Sequence, residues 1–542
     1  MAERLGHVVA VAGAQVSVRL QEGRADETGR NVAPQIHALV RIAAARSLVY
    51  GTIRELHVIS NGTPESGRIA EVEVIGERLP AGDDYGPFHR GVSHFPSLGD
   101  EVRTAGQEDL REVFVPYDQE NVRVGALTSD AGLPACVLSD DLLSKHFAVL
   151  GSTGSGKSCS VTVLLRAILD GHPNSHVILL DPHNEYASAF GNSAVVLSPE
   201  TMSLPYWLLN FEEMVEMFCS PEPAAREAEA DILRREILGA KEAYFGQRSP
   251  GYSVTVDTPV PYRLTTLLQN IDREMGRLNR PGDTLPYMRL KSRIETLRGD
   301  QRFAFMFGGL AVQDTMADII AHLMRIPVNG QPITIVDLSA VPVEIVDAVV
   351  SVLCRMIFDF AVWAGEEDQV PVLLICEEAH RYIPQDASAA FAPARKGLSR
   401  IAKEGRKYGI SLGLVTQRPS EMSETVLSQC STLFALRMSN DRDQEFVRRA
   451  LPEGAGAMFN ALPALGEREA IAVGEGAAVP MRIRFDELAE GARPRSAAAE
   501  FSSAWAVDGG SRQFVAEVVD RWRRQARSRP GAERAPQSLV AG

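Results

Sequence analysis

Hydrophobic positions change their spacing along this chain, and the changes divide it. Over residues 1–110, short runs rich in Val and Ile alternate with polar residues, as in GHVVAVAGAQVSVRL, HALVRIAAARSLVYGTIREL and AEVEVIGERL. A period of two broken by glycine and turn formers predicts several short strands without helices, closed into a small β-barrel or left as an open sheet. Further on the runs become continuously apolar: HFAVL, HVILLD, ITIVDLS, VPVLLIC and ISLGLVT. Such runs, with helical stretches between them, predict an α/β core with a parallel sheet covered on both faces, built from 111–204 and 331–485. Between 205 and 330 apolar residues recur at helical spacing in charged sequence such as PAAREAEADILRREILGAKEAYFG, which predicts a helical insertion. The segment 486–542 turns Ala-, Arg- and Gly-rich. Within it FVAEVVDRWRRQARS predicts a short amphipathic helix, and a polar tail follows from Arg529.

Composition adds limits. A chain of 542 residues exceeds one compact core and predicts two or three domains. Its most apolar long segment, Glu344 to Trp363, carries Asp347, Arg355 and Asp359, so it reads as a buried helix and not a membrane span. The N-terminal stretch MAERLGHVVAVAG lacks the apolar core of a signal peptide. Cysteines 136, 159, 219, 354, 376 and 430 form no CxxC pair, which points to reduced thiols in a cytoplasmic protein. The net charge of -14 argues against coating nucleic acid over the whole surface, but leaves room for a basic channel in an acidic shell.

The chemistry concentrates after the apolar runs. Gly151-Ser152-Thr153-Gly154-Ser155-Gly156-Lys157-Ser158 fits GxxxxGK[ST], preceded by an apolar strand and followed, from Cys159, by an apolar helix. Its backbone N–H groups would curl round a β-phosphate at a helix N-terminus, with Lys157 on the β- and γ-phosphates and Ser158 on Mg²⁺. The strand Val372 to Cys376 ends in Glu377 and Glu378: the first is placed on the metal side, the second as the base that activates water. Asp181 and Glu185 end another strand and either face the same crevice or cap a turn. Gln417 follows the strand Ile410 to Val415, where an amide can sense the γ-phosphate or simply close a loop. In ARKGLSRIAKEGRKYG, residues 394–409, Lys396, Arg400, Lys403 and Lys407 share one helical stripe and Arg395 and Arg406 a neighbouring one. That stripe is either a solvated face or a source of an arginine for another subunit's nucleotide, with Arg406 the first choice and Arg400 the second.

Taken together, the lead-in Ser144-Lys145-His146-Phe147, DPHNEY, ICEEAHRYIP, EGRKYGI and TQRPSEMSETVLSQC resemble the HerA family of the HerA/FtsK superfamily, over roughly 1–490. The resemblance implies a RecA-like P-loop core with a HAS-type barrel before it. It also implies a homohexameric ring that hydrolyses ATP with Mg²⁺ at subunit interfaces and threads double-stranded DNA through its pore. Carried over by motif, Lys157 and Ser158 bind phosphate and Mg²⁺, Glu378 activates water, Gln417 senses the γ-phosphate and Arg406 acts in trans. Lys145 stands where relatives place a basic residue near the nucleotide. The family's partners are a NurA-like nuclease or a sirtuin-like or nuclease effector docked on the barrel, in DNA end processing or antiphage defence. Its C-terminal segment braces a neighbouring subunit. A rival reading is a ring scaffold in which ATP binding assembles an effector with little translocation. Secretion and conjugation ATPases share the core but are often membrane-attached.

Overall fold

A computed structural model of the chain describes residues 3–21, 34–59, 67–82, 84–116, 119–246, 251–277, 281–308, 312–386, 392–450, 456, 458–495, 501–506 and 511–523. The polar tail expected from Arg529 lies outside the described residues.

Seven strands form the N-terminal sheet: β1 (Arg4–Ala12), β2 (Gln15–Leu20), β3 (Leu39–Ala43), β4 (Leu48–Ile59), β5 (Gly67–Ala81), β6 (Asp84–Arg90) and β7 (Glu101–Thr104). Their order is β2-β1-β7-β3-β4-β5-β6, and β2 also pairs with β5, so six strands close into a barrel and β6 extends from it. The period of two explains the interior. Val16 and Val18 point inward with Val8, Val40, Ile42, Val49, Ile53, Val72 and Val102, while Ser17 between them reaches out to Glu71 Oε2 at 2.9 Å. Closure decides between the two readings the pattern left open, and it removes the exposed edges that an open sheet would have.

The second sheet holds β8 (Asn121–Leu127), β9 (Pro134–Leu138), β10 (His146–Leu150), β11 (Val177–Asp181), β12 (Ala194–Leu197), β13 (Ile333–Asp337), β14 (Val372–Cys376), β15 (Ile410–Thr416), β16 (Cys430–Leu436), β17 (Glu469–Gly474) and β18 (Met481–Phe485). Their order is β12-β13-β11-β14-β15-β10-β16-β17-β18-β8-β9. The pairs from β12 to β16 are parallel, and those from β16 to β9 are antiparallel. The parallel sheet expected of the core is therefore present from β12 to β16 and is extended on one side by antiparallel strands. The pairing of β18 with β8 joins residues more than 350 positions apart, which no local pattern announces. Every residue of β10, β11, β13, β14 and β15 is buried, as their uninterrupted apolar character requires when both faces are covered.

Between β12 and β13 the chain forms a helical layer that includes Phe211–Phe218, Pro223–Phe245, Leu264–Met275 and Pro281–Gly299. Leu233, Ile237, Leu267, Ile271, Leu290 and Ile294 join one core with Ile178 and Leu180 of the sheet. A buried carboxylate ties this layer to the helix Val343–Ala364: Glu213 accepts from Ser351 Oγ at 2.8 Å and from Arg355 Nη2 at 3.0 Å. That helix buries thirteen residues, and no helix among the described residues is long and apolar enough to cross a membrane. All six cysteines are free, and five of them are buried. The expected C-terminal helix spans Arg512–Arg523 and buries none of its residues.

Arg90, at the end of β6, joins barrel to core. Its Nε donates to Ala478 O at 2.6 Å, and its Nη2 donates to Ala477 O at 2.6 Å and Gly474 O at 2.9 Å. Charged hydrogen bonds of this kind contribute about 1.5–3 kcal/mol each when their partners are left unsatisfied by loss of the donor. Arg90→Ala should lower the thermal unfolding midpoint, and hydrogen exchange should locate the loosening at β6 and residues 474–478 rather than at β10 or β14.

Candidate active site

Four neighbouring parallel strands, in the order β11-β14-β15-β10, present their carboxyl ends along one crevice. Their register aligns Leu150 with Thr416, Cys376 with Leu414, and Leu180 with Cys376, so the residues after each strand meet at one level. This is the place where open α/β sheets bind ligands.

The loop after β10 is Gly151 to Gly156, and the helix Lys157–Gly171 starts on it. Gly154 and Gly156 have φ of +74° and +92°, a region that side chains rarely enter, and a Cβ at Gly156 would lie 3.2 Å from the backbone N of Arg468. Ser152 is pinned by its backbone N and Oγ to Arg437 O, both at 2.9 Å, and Arg437 Nη2 reaches Gly154 O at 3.4 Å. Lys157 Nζ donates to Ser152 O at 3.2 Å, folded back over the loop. Ser155 Oγ is buried without a hydrogen-bond partner, an orphan that a bound phosphate would satisfy.

The carboxylates surround this loop. Glu377 is buried and accepts from Tyr186 OH at 3.1 Å. Burial, and then the charge of Glu378, push its carboxyl well above the ordinary range, while Lys157 opposes the shift. Burial lowers the Lys157 ammonium, against the pull of Glu377, Glu378 and Glu185. Both shifts have one cause: a dry pocket disfavours separated charges. A polyphosphate entering it would restore the ammonium.

Glu378 is held in the left-handed region at φ +51°, an uncommon place for a residue with a side chain. Its Oε1 accepts from Gln417 Nε2 at 2.9 Å. His380 Nδ1 lies 3.2 Å from its Oε2 and is hydrogen-bonded to Thr416 Oγ1 at 3.0 Å; His183 Nε2 lies 3.9 Å from Oε1. Burial pushes this carboxyl up, but contact with His380 and the charges of His380, Lys157 and His183 outweigh it, so it ends below the usual glutamate value. The adjacent acids are thus driven apart, one toward the protonated form and the other toward the carboxylate that a base requires. Thr153 Oγ1 donates to Gln417 Oε1, linking the loop through Gln417 to Glu378.

For Mg²⁺ the donors fit. Ser158 Oγ donates to Glu185 Oε2 at 2.8 Å at the mouth of the loop, with Glu377 behind it. No group of three His, Cys, Asp or Glu among the described residues is set to hold a metal alone. This suits an ion that takes its remaining ligands from phosphate and water. Bound there by Ser158, with Glu377 and Glu185 nearby, Mg²⁺ would neutralise phosphate charge.

The remaining candidates separate from this cluster. Cys159 is the third residue of the loop's helix and half-buried. Lys145 precedes β10, a strand length or about 17 Å from the loop at 3.3 Å per residue, and is ion-paired with Glu475. Within one chain it thus stands apart from the phosphate loop, near which the resemblance implied a basic residue. Arg406 sits in the turn Gly405–Tyr408 before β15, again at the opposite end from Gln417. It is exposed, and its guanidinium forms no hydrogen bond or ion pair with the described residues. Arg400 stacks on Phe358 at 4.1 Å and lies 3.9 Å from Asp359. Asp181 accepts from the backbone N of His183 at 3.1 Å and of Tyr186 at 3.0 Å, so it shapes the turn while Glu185 faces Ser158. His183, Tyr186 and His380 were not singled out in the sequence, although each lies inside a motif quoted there, DPHNEY or ICEEAH.

Residues 122–357 match the family model described as "Helicase HerA, central domain". The DNA double-strand break repair helicase HerA of Pyrococcus furiosus is 26% identical over 430 residues, 73% of this chain and 74% of that protein. Its counterpart of the same name in Sulfolobus acidocaldarius is 26% identical over 401 residues, 72% of this chain and 74% of that protein. The chain is similar to HerA-type P-loop ATPases over most of its length, and to their central domain over residues 122–357. Among solved structures, VirB4 of Thermoanaerobacter pseudethanolicus aligns with a TM-score of 0.47 at 15% identity, covering 69% of this chain and 98% of that one. Glu378→Gln should keep nucleotide binding but slow steady-state ATP hydrolysis by about a hundredfold or more, the scale of a lost general base. Phosphate release at saturating ATP, measured beside a binding titration, checks this.

Proposed function

We propose that this chain is a hexameric ATP-driven translocase of double-stranded DNA that works with a nuclease or effector docked on its N-terminal barrel, in DNA end processing or antiphage defence. The observation that carries this reading is the division of parts between the two ends of the sheet. Lys157, Ser158, Glu378 and Gln417 gather at the carboxyl ends of the strands, whereas exposed Arg406 stands at the other end. An arginine so placed can reach a nucleotide only on a neighbouring copy, which makes hydrolysis depend on a ring. The DNA-repair names of the HerA relatives supply the substrate class. DNA would be gripped through its phosphates, so binding would be salt-sensitive and indifferent to sequence.

In the hydrolytic step Lys157 and the loop amides hold the β- and γ-phosphates, and Glu378 accepts a proton from the attacking water. Gln417, bonded to both Thr153 and Glu378, reports whether the γ-phosphate is present. The neighbour's Arg406 neutralises charge that develops on the transferred group.

Linear duplex DNA should stimulate steady-state ATP hydrolysis severalfold in the wild type and not at all in Lys157→Ala. Hydrolysis indifferent to DNA would favour a ring scaffold instead. Arg406→Ala should assemble and bind nucleotide yet hydrolyse about a thousandfold more slowly, the range measured for arginine fingers. Mixing it with Glu378→Gln subunits should restore activity, because some interfaces regain both intact halves. Confirmed mixed rings that stay inactive would overturn the trans assignment.

A further inference from the structure

The sequence GEREA places Arg468 just before β17, the antiparallel neighbour of β16, so its backbone opens on the same end of the sheet as the phosphate loop. Arg468 has φ +62°, a left-handed conformation that a residue with a side chain adopts at a cost and that glycine adopts freely. Two backbone hydrogen bonds hold it there, and its side chain lies against Gly156. Its backbone N donates to Ser155 O at 3.2 Å, its carbonyl accepts from Phe485 N at 2.9 Å, and its Cγ lies 3.2 Å from where a Cβ on Gly156 would stand. The strained residue is therefore built directly against the loop.

Its guanidinium is lightly engaged. Among the described residues its ion pair is a 3.7 Å contact with the exposed carboxylate of Glu487. The charges acting on Cys159, third residue of the helix, include those of Glu467, Arg493 and Arg468, which places this group beside the start of the helix. Arg493 is committed elsewhere, to Glu487 Oε1 at 2.8 Å and Leu488 O at 3.1 Å. Lys157 and Ser158 serve the β- and γ-phosphates and Mg²⁺, while the amides at the helix start serve the α-phosphate. Arg468 stands on that last side, where an anion with paired oxygens suits a planar guanidinium.

We propose that Arg468 is a nucleotide-binding residue that contacts the α-phosphate of a bound nucleoside di- or triphosphate, exchanging Glu487 for it. A guanidinium here grips ATP before hydrolysis and ADP after it, so it sets nucleotide affinity rather than the rate of the chemical step. The assignment rests on the phosphate-loop site described above.

The test is calorimetric titration of wild type, Arg468→Gly and Arg468→Gln with ADP and with a non-hydrolysable ATP analogue, beside melting of the nucleotide-free proteins. Both variants should lose affinity for both nucleotides by the same factor, about ten- to a hundredfold as for a lost charged hydrogen bond. Arg468→Gly should melt no lower than wild type, because glycine accepts the left-handed backbone. Unchanged affinities in the two variants would overturn the proposal, as would a loss confined to the ATP analogue, which would move the contact to the γ-phosphate. Wild-type protein that binds neither nucleotide would overturn both this assignment and the phosphate-loop site beneath it.

Discussion

A buried ammonium among carboxylates organises this molecule. Lys157 is largely withdrawn from water and lies within the field of Glu185, Glu377 and Glu378. In a pocket of low polarity such charges are costly apart and strongly coupled together, so their protonation depends on what else enters. A polyphosphate brings the negative charge that the ammonium lacks a committed partner for, and a metal ion relieves the crowding of the acids. The site is thus set to respond to a polyphosphate, and its surroundings shift the neighbouring carboxyls of Glu377 and Glu378 in opposite directions.

The dryness of that pocket comes from the sheet. Strands β10, β11, β14 and β15 are buried throughout because helices cover both faces, and their parallel register brings four loops to one level. The same register has a second consequence. Whatever precedes these strands is carried to the far end, and Lys145 and Arg406 both lie there. One rule of chain direction therefore gathers the phosphate loop and its acids at one end and carries Arg406 to the other.

Around this core the additions are held by polar anchors as much as by apolar packing. Glu213 fastens the helical layer through Ser351 and Arg355, and Arg90 fastens the barrel through three carbonyls. Backbone strain is built into the nucleotide site as well: Glu378 and Arg468 both occupy left-handed conformations beside the loop. Such geometry persists only where the surroundings impose it, and here the surroundings are the loop and the ends of neighbouring strands.

Much of this could be read from the chain. The phosphate loop is contiguous, so Gly151 to Ser158 declare their chemistry through spacing alone, and fully apolar runs ending in Asp181, Glu377 and Gln417 mark strand ends at a crevice. The alternation over the first 110 residues announced strands, but the pairing of β2 with β5 that closes them joins positions some fifty residues apart. Distant pairings likewise decided that β8 and β9 extend the core sheet on its antiparallel side. Lys145 lies a few residues from the loop in sequence and a strand's length from it in space, whereas Arg468, three hundred residues downstream, touches it. Sequence by itself determined which local elements form and which carry phosphate chemistry, because those follow from side-chain period and from motifs short enough to be continuous. Tertiary structure alone decided which side chains share the pocket, because a parallel sheet orders its strands by crossover connections that leave no local mark on the residues they bring together.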